Sequence, residues 1–173
     1  APVKDTPIQI GINLRIIKIF DVDPVAETYR VDAYIDYSWL DIRNDRLIPD
    51  GRNSITLEDL QVDDFYNAIW NPAFEIINNI DTKEISNKRL VVSRGGKITY
   101  NERFKATLSS DMNFHLFPFD SHKLTINIEA FSHDTKTLNF SENPQVFPKT
   151  NKEWNLNSWR PKSRTCRLSA NDY

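Results

Sequence analysis

Three histidines, His115, His122 and His133, are the side chains that could bind a metal or carry a proton near neutral pH. Their spacings of seven and eleven would suit one helical face, but Pro118 interrupts the first interval and an alternating run, Leu124 to Ala130, fills the second. No zinc-type ligand spacing accompanies them. Glu75 and Glu129 could form a carboxylate pair of the kind a hydrolase uses, yet there is no Gly-x-Ser-x-Gly, phosphate loop or HExxH beside them. The single cysteine, Cys166, excludes an internal disulfide framework and reads as a small strand residue. A different stretch raises a sharper question: Phe117-Pro118-Phe119-Asp120 places a proline between two aromatics directly before a strand. An aromatic before proline raises the share of the cis form, which fixes a tight loop.

The elements that must position these groups are strands. In "QIGINLRIIKI", Ile8, Ile10, Ile12, Leu14 and Ile16 alternate with Gln9, Gly11, Asn13 and Arg15, the pattern of a half-buried strand. In "YRVDAYIDYSWL", Val31, Ala33, Ile35, Tyr37 and Trp39 form an apolar face, leaving Asp32, Tyr34 and Asp36 on the other. In "KLTINIEAF", Leu124, Ile126, Ile128 and Ala130 share one face, and Glu129 and Phe131 fall on the opposite one. Gly95-Gly96 supplies the positive φ of a tight turn between "KRLVVS" and "KITYNERFKATLS", which predicts a hairpin. Helical spacing is confined to Leu57 through Ala68, and residues 141–155 read as a long surface loop.

Composition agrees with one globular domain over residues 1–173, with 39% hydrophobic and 27% charged residues. A net charge of -2 without a basic block gives no footprint for nucleic acid or an anionic membrane. No apolar stretch in the sequence is long enough to span a bilayer. Many strands at short spacing, nine prolines and little helix predict an all-β antiparallel sandwich.

Taken in order, "AETYRVDAYIDYSWLD", "AIWNPAFEIIN", "ITYNERF" and "FHLFPFDSHKLTINIEAFS" resemble the extracellular domain of pentameric ligand-gated ion channels, the Cys-loop receptor superfamily. Trp39 with Asp41, Trp70 with Pro72 and the aromatic-Pro-Phe-Asp loop stand in the family's order. The animal receptors close that loop with two cysteines separated by thirteen residues, and here those places hold Ser110 and Leu124, as in the bacterial branch. "WNPAFEIIN", "TYNERF" and "DMNFHLFPFD" look most like its amine-gated ELIC type.

The resemblance implies an immunoglobulin-like antiparallel β-sandwich of about ten strands, the nicotinic-receptor ligand-binding domain fold, with no catalysis and no cofactor. It implies a ligand site shared between identical subunits of a homopentamer. Glu75, Glu129, Phe131 and Tyr173 would stand on one subunit, and Tyr34 and Asn101 on its neighbour. Rings and carboxylates of this kind replace the hydration of a primary amine, each cation–π contact contributing about 0.5–2 kcal/mol. Arg15 stands where the amine-gated type carries a further aromatic, and a cation there would repel an ammonium. Asp23 and Glu27, with Phe117, Pro118, Phe119 and Asp120, would couple the site to a pore domain, with Asp120 and Glu27 in one ionic network. On the same resemblance the chain would be truncated near the ligand-capping loop, and the transmembrane domain would lie outside it. The channel would be cation-selective and lie in a bacterial cell membrane with this domain on the extracellular or periplasmic side. The alternatives are a soluble amine-binding protein of the same fold, which would lack a hydrophobic four-helix segment, and an adhesion sandwich.

Overall fold

The computed structural model describes residues 7–112, 122–131, 137–140 and 145–146. Among them nine strands form in chain order: β1 Ile8–Asp23, β2 Thr28–Leu40, β3 Ser54–Glu58, β4 Phe74–Ile76, β5 Glu84–Ser93, β6 Lys97–Ser109, β7 Ile128–Ala130, β8 Leu138–Phe140 and β9 Gln145–Val146. A 3-10 helix spans Ile42–Leu47, and α1 spans Leu60–Ala68. Seven strands make one sheet in the order β3-β5-β6-β2-β1-β8, with β9 also on β1, while β4 and β7 make a second. The expected all-β sandwich is therefore present. The long β2–β6 ladder runs unbroken from Thr28 opposite Ser109 to Leu40 opposite Lys97. β9 pairs with β1 in parallel, so Gln145 and Val146 belong to the sheet rather than to the surface loop that prolines and polar residues suggest.

Alternation builds the core. Val31, Ala33, Ile35, Tyr37 and Trp39 are all buried, as are Ile8, Ile10 and Leu14, with Ile12 and Ile16 packed against them. β1 changes phase after Ile16: a register shift between Ile16 and Lys18 moves Ile19 to the buried side. One extra residue in a strand reverses the faces beyond it. Helical spacing from Leu57 overreaches the helix, because Leu57 pairs with Leu90 in the β3–β5 ladder. The chain turns at Asp59, at φ 47, whose amide donates to the Lys88 carbonyl at 3.0 Å.

β6 carries one polar group inward. Ile98, Tyr100, Phe104, Ala106 and Leu108 are buried in alternation, and Glu102 lies among them only 3% exposed. Its Oε1 accepts from Lys83 Nζ at 2.6 Å and its Oε2 from the Tyr100 hydroxyl at 2.7 Å. Burial, with the Glu102 charge nearby, holds the phenols of Tyr37, Tyr66 and Tyr100 well above their ordinary value.

At the end of β2, the buried Asp41 carboxylate accepts from the Arg43 amide at 3.1 Å, from its Nε at 2.8 Å and from Nη2 at 2.7 Å. Burial alone would raise this carboxyl, but the Arg43 hydrogen bonds and charge bring it below the ordinary value. A carboxyl lowered in the folded state stabilises above its unfolded value, about 3.9, and that contribution disappears as pH falls through the folded value. Asp41→Asn should cost about 1–2 kcal/mol at neutral pH, allowing for the half-exposed guanidinium. The difference from wild type should shrink below about pH 4, as measured by urea unfolding across pH.

Candidate functional site

The first half of the site is the β4–β7 ladder. Asn71 builds its entry: the side-chain amide donates to the Tyr66 carbonyl, and its oxygen accepts from the Ala73 amide, both at 3.0 Å. Pro72 is buried and Ala73 takes a positive φ of 46, which sends the chain into β4. Phe74 points into the core and stacks on Tyr37 with centroids 4.4 Å apart, so Glu75 points the other way. Glu75 stands directly opposite Glu129 in the register, and the Phe131 amide continues the pairing by donating to the Ala73 carbonyl at 3.0 Å. The Phe131 ring is 72% exposed, and Ile77, on the other side of the carboxylates, is 52% exposed. Glu75, Glu129 and Phe131 are thus brought together on one surface.

The second half lies on the outward face of the seven-stranded sheet. Arg15, Tyr34 and Arg103 are aligned across β1, β2 and β6. The Arg15 guanidinium carbon lies 4.3 Å from the Tyr34 ring centroid, and that of Arg103 lies 5.8 Å away. Arg103 forks onto Asp32, Nε to Oδ1 at 2.9 Å and Nη2 to Oδ2 at 2.7 Å, which covers Asp32 on the face where alternation places it and holds the guanidinium firmly charged. One row along, Asn101 is opposite Asp36 and donates its side-chain amide to that carboxylate. Tyr34 and Asn101 are therefore on one face with Arg15. The Tyr37–Phe74 packing separates this face from the Glu75–Glu129 face within a chain. Tyr173 lies outside the described residues.

At the end of the domain where β1 turns into β2, Asp23 Oδ1 accepts from the Val25 and Ala26 amides at 2.9 and 3.0 Å, and Val25 is 95% exposed at the tip. Glu27, at φ 54, accepts the Ser110 amide on its carbonyl at 2.9 Å and the Met112 amide on Oε1 at 3.4 Å. Glu27 thus ties the β1–β2 turn to Ser110 and Met112, at the end of β6. Phe117, Pro118, Phe119 and Asp120 lie outside the described residues, but the neck of their loop is in view. Ser110 Oγ donates to the Lys123 carbonyl at 2.6 Å, and the Tyr29 hydroxyl donates to the Thr125 carbonyl at 2.6 Å. Asn78 Nδ2 bridges the carbonyls of Ser109 and Thr125 at 2.7 and 2.8 Å.

Sequence reasoning did not find Asn78, Arg103, Lys83 or Glu102. For Glu102 a signal existed: it is the one carboxylate on the inward phase of β6. Of the histidines, only His122 is among the described residues, where no group of three or more His, Cys, Asp or Glu could hold a metal ion. No helix among the described residues is long and apolar enough to cross a membrane.

Comparison with known proteins follows this geometry. Residues 1–171 match the family described as neurotransmitter-gated ion-channel ligand binding domain. A proton-gated ion channel of Gloeobacter violaceus is 28% identical over 137 residues, 79% of this chain and 36% of that protein. The human glycine receptor subunit beta is 28% identical over 142 residues, 79% of this chain and 28% of the receptor subunit. An acetylcholine-gated chloride channel subunit, acc-1, of Caenorhabditis elegans is 26% identical over 148 residues, 82% of this chain and 30% of that subunit. The chain spans about a third of the length of these relatives.

Proposed function

We propose, from the premise that this chain belongs to the neurotransmitter-gated ion-channel ligand-binding domain family, that it receives a small primary amine at the boundaries between identical subunits of a bacterial channel. The family is one of pentameric ligand-gated channels, not of enzymes. The pairing of Glu75 with Glu129 carries the ligand assignment. Two carboxylates side by side on one face offer an ammonium paired, charge-assisted hydrogen-bond acceptors. The exposed ring of Phe131 adds a cation–π face, and Tyr34 and Asn101 of the neighbouring copy, with Tyr173, complete the cage.

Binding would act by population shift: a ligand that prefers the closed arrangement of the site moves the pentamer toward an open pore by that difference in affinity alone. The Asp23–Glu27 turn, with Val25 at its tip, and the loop bearing Phe117, Pro118, Phe119 and Asp120 would press on a transmembrane domain outside this chain. A cation-selective pore and the ELIC-type amine response are assigned by analogy with the bacterial branch. The relatives' names span protons, glycine and acetylcholine, so the residues rather than the names carry the ligand.

The test is calorimetric titration of propylamine into the full-length protein, with its mass measured by light scattering. Binding to a five-subunit species, weakened about tenfold or more by Glu75→Gln and by Phe131→Ala, is the expected result. Binding of propionate instead of propylamine would move the ligand to Arg15 and end the amine assignment. Amine binding by a protein without a pore domain would favour the soluble alternative.

A further inference from the structure

We propose that Arg15 is a tethered guanidinium that occupies the Glu75–Glu129 carboxylates of the neighbouring copy in the resting assembly, so that an amine must displace it to bind. The inference rests on the interfacial site proposed above and adds a built-in competitor to it.

Four surface arginines find carboxylates within their own chain, Arg30 with Asp21 at 3.6 Å, Arg43 with Asp41 at 2.7 Å, Arg94 with Asp45 at 3.6 Å and Arg103 with Asp32 at 2.7 Å, whereas exposed Arg46, Arg52 and Arg89 enter no ion pair among the described residues. Arg15 is likewise exposed and enters no ion pair among the described residues, but unlike those three it stands beside Tyr34 on the outward sheet face. Its guanidinium instead lies over Tyr34 at 4.3 Å, which restricts its orientation while leaving N–H edges for an outside partner. Arg103, on the other side of the same ring, is already committed to Asp32. Of the two cations beside Tyr34, Arg15 is therefore the one available.

Glu75 is likewise exposed and without an ion pair among the described residues, although it faces a second carboxylate across the ladder. Phe131 and Ile77 flank it with exposed apolar surface that a neighbouring protein would cover better than solvent. One chain cannot close the Arg15–Glu75 contact, because the two side chains leave opposite sheets on opposite sides of the Tyr37–Phe74 packing. A second copy can, and because the two patches differ, the contact is head-to-tail and repeats around a ring. A tethered cation lowers apparent amine affinity by the fraction of sites it fills.

Carbodiimide coupling tests this in full-length protein carrying Arg15→Lys, because a zero-length reagent joins an ammonium to a carboxylate only where they touch. The expected result is a ladder of linked subunits on a denaturing gel, with position 15 joined to position 75 or 129 by mass spectrometry. The ladder should vanish when Glu75→Gln and Glu129→Gln are added and should fade with excess propylamine. Arg15→Ala should tighten propylamine binding about threefold to tenfold. Amine binding without any link from position 15 overturns the inference and leaves the amine site standing. A link that forms in a protein to which propylamine does not bind ends the amine assignment, and displacement by an amine with it. A link indifferent to bound propylamine makes Arg15 a fixed interface contact and also overturns displacement.

Discussion

Gly96→Ala is expected to lower the stability of the domain by about 2–5 kcal/mol, the sum of left-handed backbone strain and overpacking. Gly96 sits at φ 78 in the β5–β6 turn, and a Cβ there would lie 2.5 Å from the Asp41 carbonyl oxygen and 2.5 Å from Ile42 Cα. Those are backbone atoms and cannot swing aside. Asp41 is fixed twice over, by its amide donating to the Gly96 carbonyl at 2.9 Å and by Arg43 on its carboxylate. Gly95 provides the control: its φ is 82, but nothing lies within 4 Å of a Cβ. Gly95→Ala should therefore cost only about 1–2 kcal/mol, the backbone strain by itself. Urea unfolding of both variants separates the terms, and equal losses would refute the role of close approach.

The second large effect is expected at Lys83. Removing one member of a buried ion pair strands the other, which costs about 3–5 kcal/mol, whereas replacing both by apolar groups of similar volume is often close to neutral. The Glu102 side chain is 4% exposed and that of Lys83 25%, so the carboxylate is the member that cannot return to water. Lys83→Met should thus be the more damaging single change, by about 2–4 kcal/mol after allowing for the partly exposed ammonium. Glu102→Gln should cost less, about 1–2 kcal/mol, since an amide can still accept from Tyr100. The Lys83→Met/Glu102→Leu pair should recover most of the loss. A double variant as unstable as the sum of its singles would show that Lys83 and Glu102 are not coupled.

Much of the sandwich was legible because period-two alternation is a direct consequence of strand geometry. The β2 core face followed from it, and the β5–β6 hairpin from the positive φ that Gly95-Gly96 adopts without strain. What was not legible depended on contacts distant in the chain. The bulge after Ile16 has no mark in a run of isoleucines, and Gln145 and Val146 are a strand only because β1 has a free edge for them. The same division holds at the site. Alternation placed Tyr34, Glu129 and Phe131 off the apolar face, but only the register sets Glu75 against Glu129 and Arg15 beside Tyr34. Asn78 was invisible for the same reason: its three partners, Ser109, Thr125 and Asn127, lie far along the chain.

The order β3-β5-β6-β2-β1 joins two local hairpins, β1–β2 and β5–β6, through a single ladder between β2 and β6. Each hairpin needs only a short turn and can close within about 1–10 μs. Their union must first restrict the whole segment between Leu40 and Lys97, including α1 and the β4 entry, before any of the thirteen paired positions offsets that entropy. The seam between β2 and β6 is thus where refolding slows, and until it closes each hairpin presents an unpaired edge to other chains.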